Sequence, residues 1–387
     1  MAIVQRIRVI AGRAPARATA FVFFANGFLF ANWVVRIPSV KERLALNEAE
    51  LGLALLFMAV GAIIAMPVTG ALVSRFGSSS LTVVSGVFYC LAFWPVGMAS
   101  NFPLLALALF VAGAANGAMD VSQNAQADAA ERVLGIRIMS FCHAMWSAGL
   151  ALGSIPAGLF SAAQVGVSVQ LALVGGGLAV GVLWAGRALV PDPPVAGSSQ
   201  ALFAIPKGPL LLFGIICLCG TVIEGGMNDW IAVYVQESMG LGPIAAATAY
   251  GAFAAAMFSS RLVGDLLNER FGASLVVRVG MLLAAAGIFA ATTGVFALTV
   301  VGFAAVGLGI AAVFPAVVSA AGRLPGRPPG PSIAAAVTLG YGGFLFGPAA
   351  IGFLAQWSSL RLALLALVVL CLTGAALSGA LRLSTHQ

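Results

Sequence analysis

Charge is what this sequence has least of. Only 8% of its 387 residues are Asp, Glu, Lys or Arg, against about 25% in an ordinary soluble domain. Too little polar surface remains for a life in water, which excludes a cytosolic enzyme, a secreted domain and a disordered chain together. The formal charge of +7 rests almost entirely on arginine, because Lys41 and Lys207 are the only lysines. No basic stripe with interleaved aromatics occurs, so nucleic acid is excluded as a partner. There is no GxxxxGK[ST] loop for a nucleotide and no HExxH for zinc. The five cysteines lie inside apolar stretches, and Cys217 and Cys219 lack CxxC spacing; they read as small hydrophobes. The sequence gives no sign of an enzyme, a metal site or a cofactor.

What is abundant is hydrophobicity, at 61% of the residues. Apolar runs stand at about 18–37, 51–73, 80–99, 102–126, 138–162, 167–189, 210–235, 244–264, 274–296, 298–320, 333–356 and 359–381. A bilayer core needs about 20 residues of helix per crossing, and only helices or closed barrels satisfy the backbone there. Runs this long without strict alternation are helices, so the chain is expected to be an all-α polytopic membrane protein with twelve spans. The first run follows a basic segment but is too long for a cleaved leader, and it reads as a retained span. If both termini face the cytoplasm, that side collects fifteen Arg and Lys, among them Arg6, Arg8, Arg75, Arg261 and Arg327. Arg36, Lys41, Arg43 and Arg361 are left opposite. The positive-inside rule therefore places both termini in the cytoplasm.

The segment 191–209, rich in Pro, Gly and Ser, divides the chain into residues 1–190 and 210–387, six runs each. The halves repeat. Asn32-Trp33 matches Asp229-Trp230, Arg75-Phe76-Gly77 matches Arg270-Phe271-Gly272, and Gly149, Gly153 and Gly158 match Gly343, Gly347 and Gly352, at shifts of 197, 195 and 194 residues. Two six-helix bundles related by an internal repeat are a common transporter design.

Ionisable residues in mid-span are costly, by about 2.5–3.5 kcal/mol on insertion scales, and usually mark a wet interior. Asp120, His143, Glu224 and Asp229 are the clear cases. Asn116, Asp120, Gln123 and Asn124 recur at i, i+4, i+7 and i+8 on one helix face. Ser140, His143 and Ser147 form a second stripe, Thr221, Glu224 and Asn228 a third, and Asn26, Phe30 and Trp33 a fourth. Asp120 and His143 lie at similar distances from the short connection between the fourth and fifth runs, so they are expected at one depth, close enough to pair. Asp120, His143 and Glu224 are the expected proton-coupling residues. Asn26, Phe30, Trp33, Asn116, Gln123, Asn124, Trp146, Glu224, Asn228, Tyr250 and Tyr341 are candidates to bind a polar solute, by hydrogen bonds or by stacking. Asp229 is a candidate for an outer gate.

The loop GALVSRFG (Gly70 to Gly77) resembles the GxxxDRxGR signature of the major facilitator superfamily, with Ser74 at the acidic position and Ser78 at the last basic one. The second-half loop RLVGDLLNERFG (Arg261 to Gly272) keeps acidic and basic residues, and the resemblance implies a charge-based gate at these loops, with Arg75, Arg261 and Asp265 as its candidates. NGAMDVSQNAQ (Asn116 to Gln126) and FCHAMWSAGLALGS (Phe141 to Ser154) resemble a bacterial branch near the fucose-permease-like proton symporters. The resemblance implies that runs 1, 4, 7 and 10 line a central cavity. It further implies a monomer in the bacterial inner membrane that takes up a small, sugar-like solute with protons by alternating access, the proton gradient being its only energy source. The alternative is a proton-driven drug or metabolite exporter: GFLFGP (Gly343 to Pro348) is similar to an antiporter motif, although the fourth run lacks the arginine of that group.

Overall fold

The computed structural model describes residues 10, 12–192, 206–325 and 328–384. Arg6, Arg8, Arg327 and most of the 191–209 segment lie outside the described residues, as does the side chain of Asp265. No strand occurs among the described residues. The helices are α1 (Ala14–Val34), α2 (Ile37–Arg43), α3 (Glu48–Phe76), α4 (Ser78–Ala92), α5 (Trp94–Met98), α6 (Phe102–Leu134), α7 (Met139–Ala162), α8 (Val167–Gly186), α9 (Pro209–Val233), α10 (Pro243–Phe271), α11 (Ala273–Ala291), α12 (Phe296–Ile310), α13 (Val313–Gly322), α14 (Pro329–Trp357) and α15 (Leu360–Leu377). Counting consecutive pairs such as α4–α5 and α12–α13 once, eleven spans among the described residues are long and apolar enough to cross a bilayer. The twelfth is α10, equally long but rich in alanine and serine and carrying Arg261, Asp265, Glu269 and Arg270.

The third and tenth runs each break where proline dictates. Pro95 follows the break at Phe93, and Pro315 follows the one at Ala311 and Ala312. Proline has no N–H to donate and crowds the carbonyl four residues back, so a continuous helix cannot pass either point unperturbed. Helix starts are capped where the sequence supplies a side chain. Asn47 and Glu50 exchange reciprocal bonds of 2.9 Å at the head of α3, and Asn101 accepts from the Leu104 amide at the head of α6.

Residues 1–40 and 57–199 form one compact unit; residues 41–56 and 200–387 form another, so α3 begins in the second and continues in the first. Within the first unit α1 packs along α7, and within the second α9 packs along α14. These are the partners the repeated glycines permit. A Cβ on Gly149 would collide with the Phe24 carbonyl of α1, and one on Gly343 with Thr221 of α9. Small residues at such crossings let backbones approach closely. The repeat also survives as geometry at Gly77 and Gly272, which adopt φ +83° and +79°. In each, the preceding arginine, Arg75 or Arg270, lies over the ring of the intervening phenylalanine at 5.2 and 5.3 Å.

Large apolar side chains such as Leu107, Val180, Phe346 and Val369 point outward, while Asn32, Gln123, Gln170 and Glu224 are buried. This distribution suits a hydrocarbon surround. All five cysteines are buried and unpaired.

Gly149→Ala is expected to lower stability by about 1–3 kcal/mol, because a backbone-to-backbone contact cannot repack. Gly177→Ala, where the added carbon meets nothing within 4 Å, is expected to leave stability unchanged or raise it. Thermal melting of the two variants in detergent checks the contrast.

Candidate functional site

Each unit holds its own polar cluster, built on the stripes read from the sequence. In the first, α1, α6 and α7 converge. Asn26 donates to Asn116 Oδ1 at 3.2 Å, and its own Oδ1 accepts the Trp146 indole at 2.8 Å. Tyr89 donates to the Asn26 carbonyl at 3.0 Å. Asn26 is thereby fixed from three sides, while Asn116 and Trp146 remain half-buried.

One turn along α6 stands the carboxylate. Asp120 Oδ1 accepts from Asn124 Nδ2 at 3.1 Å and from Gln123 Nε2 at 3.4 Å. Asn124 Oδ1 in turn lies 3.2 Å from His143 Nε2, and the His143 ring meets Phe23 edge-on at 5.2 Å. Asp120 and His143 thus come together as expected, but through an amide: Asn124, on the same helix face as Asp120, spans the gap to α7. Asp120, Asn124 and His143 are all half-buried, whereas Gln123 is buried. Phe30 is half-buried on α1.

In the second unit Glu224 of α9 forms an ion pair with Arg261 of α10, Nη2 to Oε1 at 3.0 Å. Its backbone carbonyl accepts from Asn228 Nδ2 at 2.9 Å, and Tyr250 donates to Asn228 Oδ1 at 2.9 Å. Tyr341 is half-buried on α14. Two expectations change here. Arg261, grouped with the cytoplasmic charges as a gate, turns its guanidinium inward onto Glu224, since an arginine within an apolar stretch must find a counter-charge. Trp33, expected to stack on a solute, is wholly buried against Phe93. Its repeat mate Trp230 is equally buried, and neither indole N–H finds a partner among the described residues. Asp229, expected as an outer gate, is 9% exposed within α9. Arg75 remains exposed over Phe76.

Three polar arrangements went unread in the sequence. Arg36, counted as a loop charge, is buried, donating to Gln170 Oε1 at 3.0 Å and to the Val165 carbonyl at 2.8 Å; Gln170 also donates to Asn32 Oδ1 at 2.9 Å. Lys41 bridges Glu48 at 3.3 Å and Glu237 at 2.6 Å. Asp192 caps the start of α4, accepting from the amides of Ser78 and Ser79. A lone glutamine in the run 167–189 was the available signal for the first. The other two depend on residues distant in sequence and carried none. No group of three or more His, Cys, Asp or Glu that could hold a metal occurs among the described residues.

Two six-helix sets, repeated corners and inward polar stripes on α1, α6, α7 and α9 describe a carrier. Residues 19–320 match the Major Facilitator Superfamily. The chain belongs to that family. An uncharacterized MFS-type transporter of Yersinia pestis is 35% identical over 366 residues, covering 93% of this chain and 94% of that protein. The membrane protein MosC of Rhizobium meliloti is 32% identical, covering 91% and 86%. Among solved structures, the nucleoside transporter NupG superposes with TM-score 0.73 at 11% identity, covering 95% of this chain and 99% of that one. A bacterial homolog of the human lysosomal transporter Spinster superposes at 0.73 and 15% identity, covering 97% of each. At these identities the two structures speak for the fold alone. The superfamily member described here is a multi-pass membrane transporter of small molecules.

Removing one partner of a buried ion pair costs about 3–5 kcal/mol, because the other is left uncompensated. Arg261→Gln alone is expected to lose stability on that scale and Glu224→Gln/Arg261→Gln together much less, a difference measured by a double-mutant cycle of melting in detergent.

Proposed function

We propose that this transporter takes up a small, polar, sugar-like solute in symport with protons across a bacterial inner membrane, both termini facing the cytoplasm. It acts as a monomer without a cofactor, by alternating access, with residues 1–190 and 210–387 as the moving bodies. The resemblance of residues 116–126 and 141–154 to the fucose-permease-like proton symporters supports this reading.

The observation that carries it is the Asp120–Asn124–His143 chain. A half-buried carboxylate joined through one amide to an imidazole has the parts for taking up and releasing a proton: an acid, a base, and hydrogen bonds that couple their states. Asp120 is the carrier in this reading and His143 its modulator. Asn26, Asn116 and Trp146 offer amides and an aromatic face within reach of the same stripe, which suits a hydroxylated ring. Glu224, with Arg261, Asn228, Tyr250 and Tyr341, forms the second unit's share. Asp229 and Arg75 are assigned to gating.

In proteoliposomes with an imposed inward proton gradient, Asp120→Asn is expected to lose uphill accumulation of the solute while retaining solute exchange. Undiminished accumulation removes Asp120 from the coupling step. Solute leaving, rather than entering, under the same gradient overturns uptake in favour of export.

A further inference from the structure

We infer that Arg278 holds the headgroup phosphate of an anionic phospholipid, where the start of α11 meets the 3-10 helix (Ser378–Ser384) that follows α15.

Arg278 is the sixth residue of α11, so its Cα lies about 7.5 Å past the first residue of that span, at 1.5 Å of rise per residue. It sits on the face turned toward hydrocarbon. Leu275, Val279, Leu282 and Phe289 are exposed along the same side of the helix, while Val277, Met281 and Ala284 are buried on the other. A guanidinium keeps its charge in any protein setting, so one placed on this face needs an anion close by.

The surrounding helices do not supply one. The elements packed against α11 are α10, α12, α13, α15 and the 3-10 helix, and of these only α10 carries Asp or Glu, at 265 and 269. Position 265, one turn past Arg261, falls on the α10 face that meets α9, and Glu269 is exposed. Arg278 pairs with no carboxylate among the described residues. Its polar contact is neutral: Nε donates at 3.2 Å to Oγ of the wholly buried Ser378. Ser378 stands just past the end of α15, so the arginine stem runs back toward the membrane surface, as long basic side chains do. The guanidinium lies over Gly379, where an added Cβ would come within 3.7 Å of Nη2. With Nε engaged on Ser378, the edge formed by Nη1 and Nη2 is left, a planar fork that matches two oxygens of one phosphate.

The internal repeat provides a comparison within the molecule. Gly272 corresponds to Gly77, which equates Arg278 with Val83. In the first unit Val83 packs against α8, where a Cβ on Gly186 would meet it at 2.5 Å. Valine therefore fills this corner in one unit, and packing does not call for arginine in the other. The charge also selects the lipid. A zwitterionic headgroup carries an ammonium of its own that competes for the phosphate, whereas phosphatidylglycerol carries none. Arg382, exposed on the same 3-10 helix, and Arg270, exposed near the end of α10, add to the positive field.

The test titrates the purified full chain in detergent with dioleoylphosphatidylglycerol or dioleoylphosphatidylcholine and counts bound lipid by native mass spectrometry. Melting in nanodiscs of the same lipids is the second readout. Wild type is expected to bind phosphatidylglycerol more tightly than phosphatidylcholine and to melt higher with it. Arg278→Val, the residue of the repeat mate, is expected to bind phosphatidylglycerol about 10-fold more weakly or worse, the scale of a lost charge-assisted hydrogen bond. Its binding of phosphatidylcholine stays at the wild-type level. Each protein is compared with itself in the two lipids, so a less stable variant still reports, and Arg278→Gln repeats the comparison with a polar side chain. Arg187→Gln, which removes an exposed arginine outside the site, is expected to keep the preference. Equal binding of both lipids by wild type, or an undiminished preference in the Arg278 variants, overturns the inference. So does an equal loss in Arg187→Gln, which would reduce the effect to net charge. A rise in melting with inorganic phosphate in phosphatidylcholine as large as that with phosphatidylglycerol would make this a site for soluble anions and overturns it too.

Discussion

A charged group inside a helix bundle surrounded by hydrocarbon has to find its complement within the protein, and this constraint shapes the interior. Glu224 finds Arg261. Arg36 finds the carbonyl of Val165 and the amide of Gln170. Lys41 finds Glu48 and Glu237 together. Each match links segments far apart in sequence, so satisfying it also fixes which helices are neighbours. With so few charges in the chain, each does more to define the fold than an exposed charge in a soluble domain, where a surface pair contributes about 0–1 kcal/mol.

The two units meet the same demand by different chemistry. The first holds its mid-span carboxylate with side-chain amides, Asn124 and Gln123, and reaches an imidazole through one of them. The second uses a full counter-charge and leaves its amide, Asn228, to brace a backbone carbonyl and a phenol. An amide-held carboxylate can change its protonation state with modest rearrangement of its partners. A salt-bridged one loses its attraction to the cation when it takes a proton. A duplicated architecture thus carries two distinct ionisable devices at positions the repeat does not equate, α6 with α1 and α7 in one unit, α9 with α10 in the other.

Most of the fold was legible because bilayers impose length and backbone self-satisfaction, both visible in a single sequence. The runs located the spans, and the repeated Arg-Phe-Gly at 75–77 and 270–272 marked two corners, whose glycines both adopt positive φ. The polar stripes were equally visible, since period 3.6 puts Asn116, Asp120 and Asn124 on one face whatever the neighbours are. Partners were not legible. Periodicity states which way a side chain leaves its own helix and nothing about what meets it. Arg261 was counted toward a surface although it fell within the run 244–264, and that position was the available clue to its inward turn. Asn124 was read as a solute ligand, and only the crossing of α6 and α7 reveals it as the link between Asp120 and His143.

The burial of Cys90, Cys142, Cys217, Cys219 and Cys371 among apolar side chains has a practical side. Bulky, water-soluble maleimides reach thiols that solvent reaches, and none of these five presents one. A single cysteine placed at an accessible position can therefore be tagged on the otherwise native chain, without first stripping out its thiols. Distances across the molecule during its working cycle can be followed spectroscopically from pairs of such tags.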